Sequence, residues 1–360
     1  MGEGTPGGFS LEELQLAARN HGMPLEALRY EITPIGLHYL LTHFDIPAID
    51  LGDWQLAVGG LVRNAMSLGL DDVRARPRVT IPVTMECAGN GRARLSPRPI
   101  SQPWLSEAIG TAEWTGTPLR GLLEDAGIRA GALEVVFTGA DHGMEGGIEQ
   151  DYQRSLPVGE ALREDVLLAY EVNGEPLPPQ HGSPLRLVVP GWYGMTSVKW
   201  LRRIEVVGEP FQGYQQSHGY RFRDQPEDQG EPVTRIAPRS LMVPPGFPEY
   251  LSRDRILPPG PCRLQGRAWS GWAGIESVKV SVDGGRTWEA AQLGPPPGPT
   301  AWTPWSFEWN PRPGTYELAC RARDTAGNEQ PLEPQWNVGG YANNAVQRVA
   351  VTVQDEAAHG

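Results

Sequence analysis

Two patterns of apolar and polar positions divide the chain near residue 230. Before it, short amphipathic stretches mix with apolar runs. Ser10-Leu11-Glu12-Glu13 has the form of a capping box and predicts a helix over 11–20. Pro24-Leu25-Glu26-Ala27-Leu28 predicts a further helical turn, 68–73 a short helix, and 119–126 an amphipathic one. Residues 35–44 are apolar apart from His38 and His43 and lead toward the core. Strands are predicted at 54–58, with Gly59-Gly60 as a turn, and at 79–85, a run rich in β-branched residues. Others are expected at 133–138, ending at Gly139-Ala140-Asp141, and at 166–172, followed by the hairpin signal Asn173-Gly174. Two more fall at 185–190 and 198–207. Helices and strands without regular alternation indicate an α+β fold. Residues 1–8 read as disordered.

After about Glu231 no helical pattern remains. Alternating runs at 263–269, 275–282, 287–289, 307–309, 315–323 and 345–353 are separated by turn signals such as Asp283-Gly284-Gly285, as in an all-β sandwich. The proline-rich segment 294–299 is then a connection inside that sandwich. Seven of the twelve tryptophans lie after residue 260. A length of 360 residues fits more than one domain. The divisions expected are an extension over 1–30, a mixed domain over 31–232 and a β domain over 233–355.

Composition narrows the function. Charged residues are 21% and hydrophobic ones 39%, which suits a globular protein. The net charge of −12 is spread along the chain, which argues against general nucleic-acid binding. No apolar run approaches the roughly 18 residues of a membrane helix. The N-terminus has neither a basic nor an apolar leader region, so the cytoplasm is expected, or the periplasm if a signal has been removed. Three cysteines, Cys87, Cys262 and Cys320, do not describe a disulfide framework. Cys262 and Cys320 are expected as reduced core residues, with pairing across the sandwich as the alternative.

The chemistry centres on Met85-Glu86-Cys87-Ala88-Gly89-Asn90-Gly91-Arg92. A strand ends at Cys87, glycines follow, and Arg92 and Arg94 favour the thiolate, the form that binds soft metals. Other strand ends carry polar residues too: Asp141, the run Gln180-His181-Gly182-Ser183-Pro184-Leu185-Arg186, the segment up to Lys199, and His218-Gly219-Tyr220. Singly these read as a helix cap, a turn histidine and a surface charge, and Trp104 as core packing.

Together they resemble the sulfite oxidase family of molybdopterin oxidoreductases. The resemblance rests on Cys87-Ala88-Gly89-Asn90 with Ala108-Ile109-Gly110-Thr111-Ala112-Glu113-Trp114. It also rests on the run from Asp165 through His181 and Arg186 to Lys199-Trp200-Leu201, on Ser281-Val282-Asp283-Gly284-Gly285, and on Trp336-Asn337. It implies a mixed α/β molybdopterin-binding fold, an immunoglobulin-like sandwich that makes a homodimer, and a molybdenum-molybdopterin cofactor. By resemblance Cys87 ligates the metal, and Tyr39, His43, Asp141, His181, Arg186, Ser197, Val198 and Lys199 hold the pterin and its phosphate. Tyr220, Trp104 and Arg92 fall on substrate-pocket positions.

The family's pattern is broken in two places. Leu41 and Gly339 stand where arginines are expected. A charged hydrogen bond contributes roughly 1.5–3 kcal/mol, so two lost contacts weaken anion binding by roughly two to four orders of magnitude. The expected reaction is oxo transfer between water and a small substrate, sulfite first. The alternatives are sulfoxide or nitrate reduction, or a binding protein without chemistry. No haem is expected in this chain, so electrons would pass to an external carrier such as a cytochrome c.

Overall fold

The computed structural model describes residues 8–355. The capping box forms as expected: Glu13 N–H donates to Ser10 Oγ at 3.2 Å and Ser10 N–H to Glu13 Oε2 at 2.9 Å, opening the helix Leu11–Arg19. A 3-10 turn follows at Leu25–Arg29. Residues 35–44 are irregular and are pinned by an antiparallel bridge between His21 and Leu40. The expected disorder at 1–8 lies outside the described residues except for Gly8.

Two five-stranded sheets build the first half. One runs in the order Met66–Leu68, Leu56–Gly60, Leu201–Val207, Glu134–Glu145, Ile148–Pro157. The other runs Val79–Glu86, Ile109–Pro118, Leu167–Val172, Glu175–Pro176, with Arg186–Val188 on Leu167–Val172. The helix Leu119–Ala126 buries Leu119, Leu122 and Leu123 against Leu56, Phe137, Leu168, Leu187 and Ile204, which forms the main core.

Gly59 and Gly60 belong to a strand rather than a turn, paired with Glu205 and Val206. Gly60 is needed there because its φ is +83° and a Cβ would strike the Val206 carbonyl. The strand expected to end at Gly139 continues through Asp141 to Glu145, turns at Gly146-Gly147 (φ +59° and +77°), and returns as Ile148–Pro157.

The second half has two facing sheets and no helix among the described residues. One runs Arg239–Met242, Cys262–Trp269, Thr303–Trp309, Gln292–Leu293. The other runs Phe247–Pro248, Arg255–Leu257, Gln347–Val353, Gly314–Asp324, Ile275–Ser281, Glu289–Ala290. Leu264, Val278, Val280, Trp305, Leu318 and Val351 fill the space between them. All three cysteines are unpaired, and Cys320 Sγ lies 3.4 Å from the Ser240 carbonyl oxygen.

The halves are bonded together. Trp302 donates from Nε1 to the Glu31 carbonyl and from its backbone N–H to Thr84 Oγ1, both at 2.8 Å. Arg267 Nε reaches the Leu28 carbonyl at 2.9 Å. No helix among the described residues is long and apolar enough to cross a membrane.

Candidate active site

The strand Val79–Glu86 delivers Cys87 to a tight loop. Asn90 closes the loop: its N–H donates to the Cys87 carbonyl at 3.0 Å, and its Oδ1 accepts from Ala108 N–H at 3.1 Å. Gly91 has φ +92°, and a Cβ there would meet the Asn343 carbonyl at 2.7 Å, so glycine is required. The second half clamps the same loop. Ala342 N–H donates to the Ala88 carbonyl at 2.7 Å and Asn343 Nδ2 to the Gly91 carbonyl at 2.8 Å. Glu86 is buried and satisfied by the Trp269 indole (2.8 Å), Asn90 (3.0 Å) and the Arg239 guanidinium (2.8 Å).

Cys87 opens into a cavity that gathers nearly every residue singled out in the sequence. Tyr39, His43, Asp141, His181, Arg186, Ser197, Val198, Lys199 and Tyr220 all line it, together with Leu41. Arg186 and Lys199 form its cationic side. Arg186 donates to the carbonyls of His181 and Ser197, each at 3.0 Å. Lys199 Nζ donates to the carbonyls of Leu41 (2.8 Å) and Gln180 (3.0 Å). The lining residue Tyr220 (φ +37°) and Trp200, next to Lys199 (φ +48°), hold left-handed or near-left-handed backbone. Such non-glycine conformations persist only where the surroundings enforce them.

Burial dominates the titration of this cavity. It pushes His181 down to about 2, with His38, Arg186 and Lys199 adding to the effect, so the imidazole is neutral. It lowers Lys199 to about 7 and lifts Asp141 to about 6, against their mutual attraction. It raises the Cys87 thiol, while Arg92, the Gly89 amide and the Trp104 indole pull the other way. His43 Nε2 lies 2.8 Å from Glu145 Oε2, and the pair closes one wall.

Arg92 and Trp104 pack around the loop instead of lining the cavity. Arg92 Nε donates to the Gly339 carbonyl at 2.9 Å and Nη1 to Ser101 Oγ at 3.0 Å. Gly339 has no room for a side chain, since a Cβ would collide with the Tyr341 ring. That ring packs at 5.2 Å, tilted by 35°, against Tyr220. Leu41 adds an apolar surface to the cavity.

Four residues here escaped the sequence: Tyr152, Tyr341, Arg154 and the lining role of His38. The Tyr152 hydroxyl donates to the Met195 carbonyl at 2.8 Å, and its ring lines the cavity. His38 is buried, packs edge-on to His181 at 5.9 Å, and leaves Nε2 unpartnered. His38 carried a signal, its place on an apolar run. Tyr341 and Arg154 carried none, because only the fold brings them near.

The donor set suits a molybdopterin. A single thiol able to become a soft ligand stands at one end, and cations with a neutral imidazole stand where a phosphate and a heterocycle need partners. Among the described residues the buried Asp141 Oδ1 and His38 Nε2 have no partner, as expected of groups that face a ligand.

Residues 43–215 match the family model of the oxidoreductase molybdopterin binding domain, and residues 234–354 that of the Mo-co oxidoreductase dimerisation domain. The chain is 37% identical to sulfite oxidase of Gallus gallus over 88% of its own length and 72% of that protein's. It is 33% identical to the NADH nitrate reductase of Solanum lycopersicum over 93% of its own length and 40% of that protein's. Its fold matches the sulfane dehydrogenase SoxCD from Paracoccus pantotrophus with a TM-score of 0.81 at 26% identity, over 98% of this chain and 95% of that one.

Proposed function

The chain belongs to the molybdopterin oxidoreductases of the sulfite oxidase type, and on that premise we propose that it converts sulfite and water to sulfate, two protons and two electrons. One observation carries this reading: Cys87, the cations and Tyr220 face a single cavity. Cys87 would hold the metal, while His181, Arg186, Lys199 and the backbone at Ser197 and Val198 would hold the pterin and its phosphate. When bound, the group supplies oxygen-atom transfer and takes up the electrons.

The protein's own groups bind, orient and move protons. The Tyr220 hydroxyl, its ionisation pushed up by burial, stays protonated and serves as a donor to an oxyanion. Tyr152 and Tyr341 exclude water around it. Arg92 and the Trp104 indole favour the thiolate of Cys87. Electrons would leave to an external carrier such as a cytochrome c, and the sandwich supports assembly as a homodimer.

The test is metal content followed by turnover. About one molybdenum per chain is expected from a host that makes the cofactor, with sulfite-dependent ferricyanide reduction that Cys87→Ser abolishes. Protein without molybdenum from such a host would sink the proposal. A second reading, nitrate reduction, is favoured by the apolar Leu41 and the filled corner at Gly339, since a monoanion needs less positive charge than sulfite. Nitrate turnover with a reduced dye and none with sulfite would select it.

A further inference from the structure

One buried cation beside the site has no role assigned to it so far. Arg154 lies on the strand Ile148–Pro157 and is 1% exposed. Its Nη1 donates to the Gln215 carbonyl, and among the described residues its Nε finds no partner and no carboxylate lies within ion-pair distance of it. Burying a guanidinium without a counter-ion is costly, and most such groups are paired. The ring of Tyr220 lies against it, and the carboxylate of Glu134 acts on it only from beyond ion-pair distance.

Four groups lie in a row. Arg154 Cζ sits 5.5 Å from the centroid of Tyr220, Tyr220 lies 5.2 Å from Tyr341, and Arg92 Cζ is 5.2 Å from the other end of the pair at Tyr341. Two phenols are held between two guanidinium groups, and one of those phenols lines the cavity. The cations that line the cavity itself, Arg186 and Lys199, are engaged by backbone carbonyls. Beside Tyr220 the corner at Gly339 is filled by the Tyr341 ring, and Leu41, whose carbonyl holds Lys199, adds only an apolar side chain to the cavity.

We propose that Arg154 is a positioning residue for substrate affinity, supplying from behind the Tyr220 ring the positive charge that draws an oxyanion into this cavity. The inference rests on the anionic substrate assigned above. A cation-π contact fixes the ring and polarises its hydroxyl. In a poorly solvated interior, one charge acts over several ångströms with little screening. The missing counter-ion is then a requirement, because a paired carboxylate would cancel the field at the anion.

The experiment uses the molybdenum-loaded enzyme. R154Q keeps a donor for the Gln215 carbonyl and loses the charge, R154K keeps the charge, and L41R is added to R154Q to return a cation on another wall. R154Q is expected to raise the KM for sulfite and the Kd for unreactive sulfate, measured by calorimetry, each about tenfold, with kcat changed far less. R154K should stay near the parent, and L41R/R154Q should recover most of the loss. An unchanged sulfate Kd in R154Q overturns the proposal. So does a fall in kcat shared by R154Q and R154K without rescue by L41R, which would mark a structural role. If the parent turns over no sulfite while R154Q still weakens sulfate binding, the sulfite reading fails and the role of Arg154 stands.

Discussion

Arg92 donates from Nε to the carbonyl of Gly339 over 2.9 Å, joining the loop of Cys87 to backbone 247 residues further on. Arg92→Met breaks this bond and those to Ser101 and Gln102 and leaves the half-buried Gly339 carbonyl without its partner. The expected cost is about 2–4 kcal/mol in urea unfolding, with turnover falling by more than the loss of folded protein explains. Unchanged stability would show that the contact contributes nothing.

Glu86 and Arg239 form a buried pair at 2.8 Å, with side chains 2% and 4% exposed. Glu86→Gln leaves the guanidinium without compensation and should cost about 3–5 kcal/mol. Combining it with Arg239→Met should recover much of that. Denaturation of the two single variants and the double variant gives the coupling directly.

Gly139→Ala would place a Cβ against the Asp141 carboxylate and 2.8 Å from the Lys199 carbonyl. Molybdenum per chain should fall severalfold with the circular dichroism spectrum unchanged. Gly36→Ala is the control, since nothing lies within 4 Å of its Cβ.

Stability should fall as pH drops below 6.5. Burial lowers His38 to about 4 and His181 to about 2, from 6.5 in the unfolded chain. Between those values the unfolded chain binds more protons, so acid favours it, by up to about 1.4 kcal/mol per pH unit for each histidine. Asp141, lifted to about 6 from 3.8, opposes one of them over that range. From pH 6 to 4 two depressed histidines outweigh one raised carboxyl, and His38→Gln should make the loss of stability over that range shallower in thermal melts of the cofactor-free protein.

Much of this was legible from sequence because it is local. The Ser10–Glu13 cap, the strand into Cys87 and the helix at Leu119–Ala126 are each fixed by neighbours a few residues apart. The strand Ile148–Pro157 was not, since its inward positions include Arg154 and Ser155 and no apolar alternation marks it. The strand Ile109–Pro118 was hidden by Gly110 and Gly116. A Cβ on the first would crowd His38 and on the second the Leu168 carbonyl, and neither neighbour is visible along the chain. Most residues facing the cavity were found through the family resemblance that their run of types carries, whereas Tyr152 and the lining role of His38 were not. Tyr341 entered only through the contact between the two halves.

Ala342 and Asn343 grip the backbone on either side of Gly89, and Trp269 steadies the residue just before Cys87. The sandwich is thus no interchangeable cassette. A chimera that swapped it for another β domain, even one that dimerised, would inherit a slack Cys87 loop, so the two halves are constrained to change together.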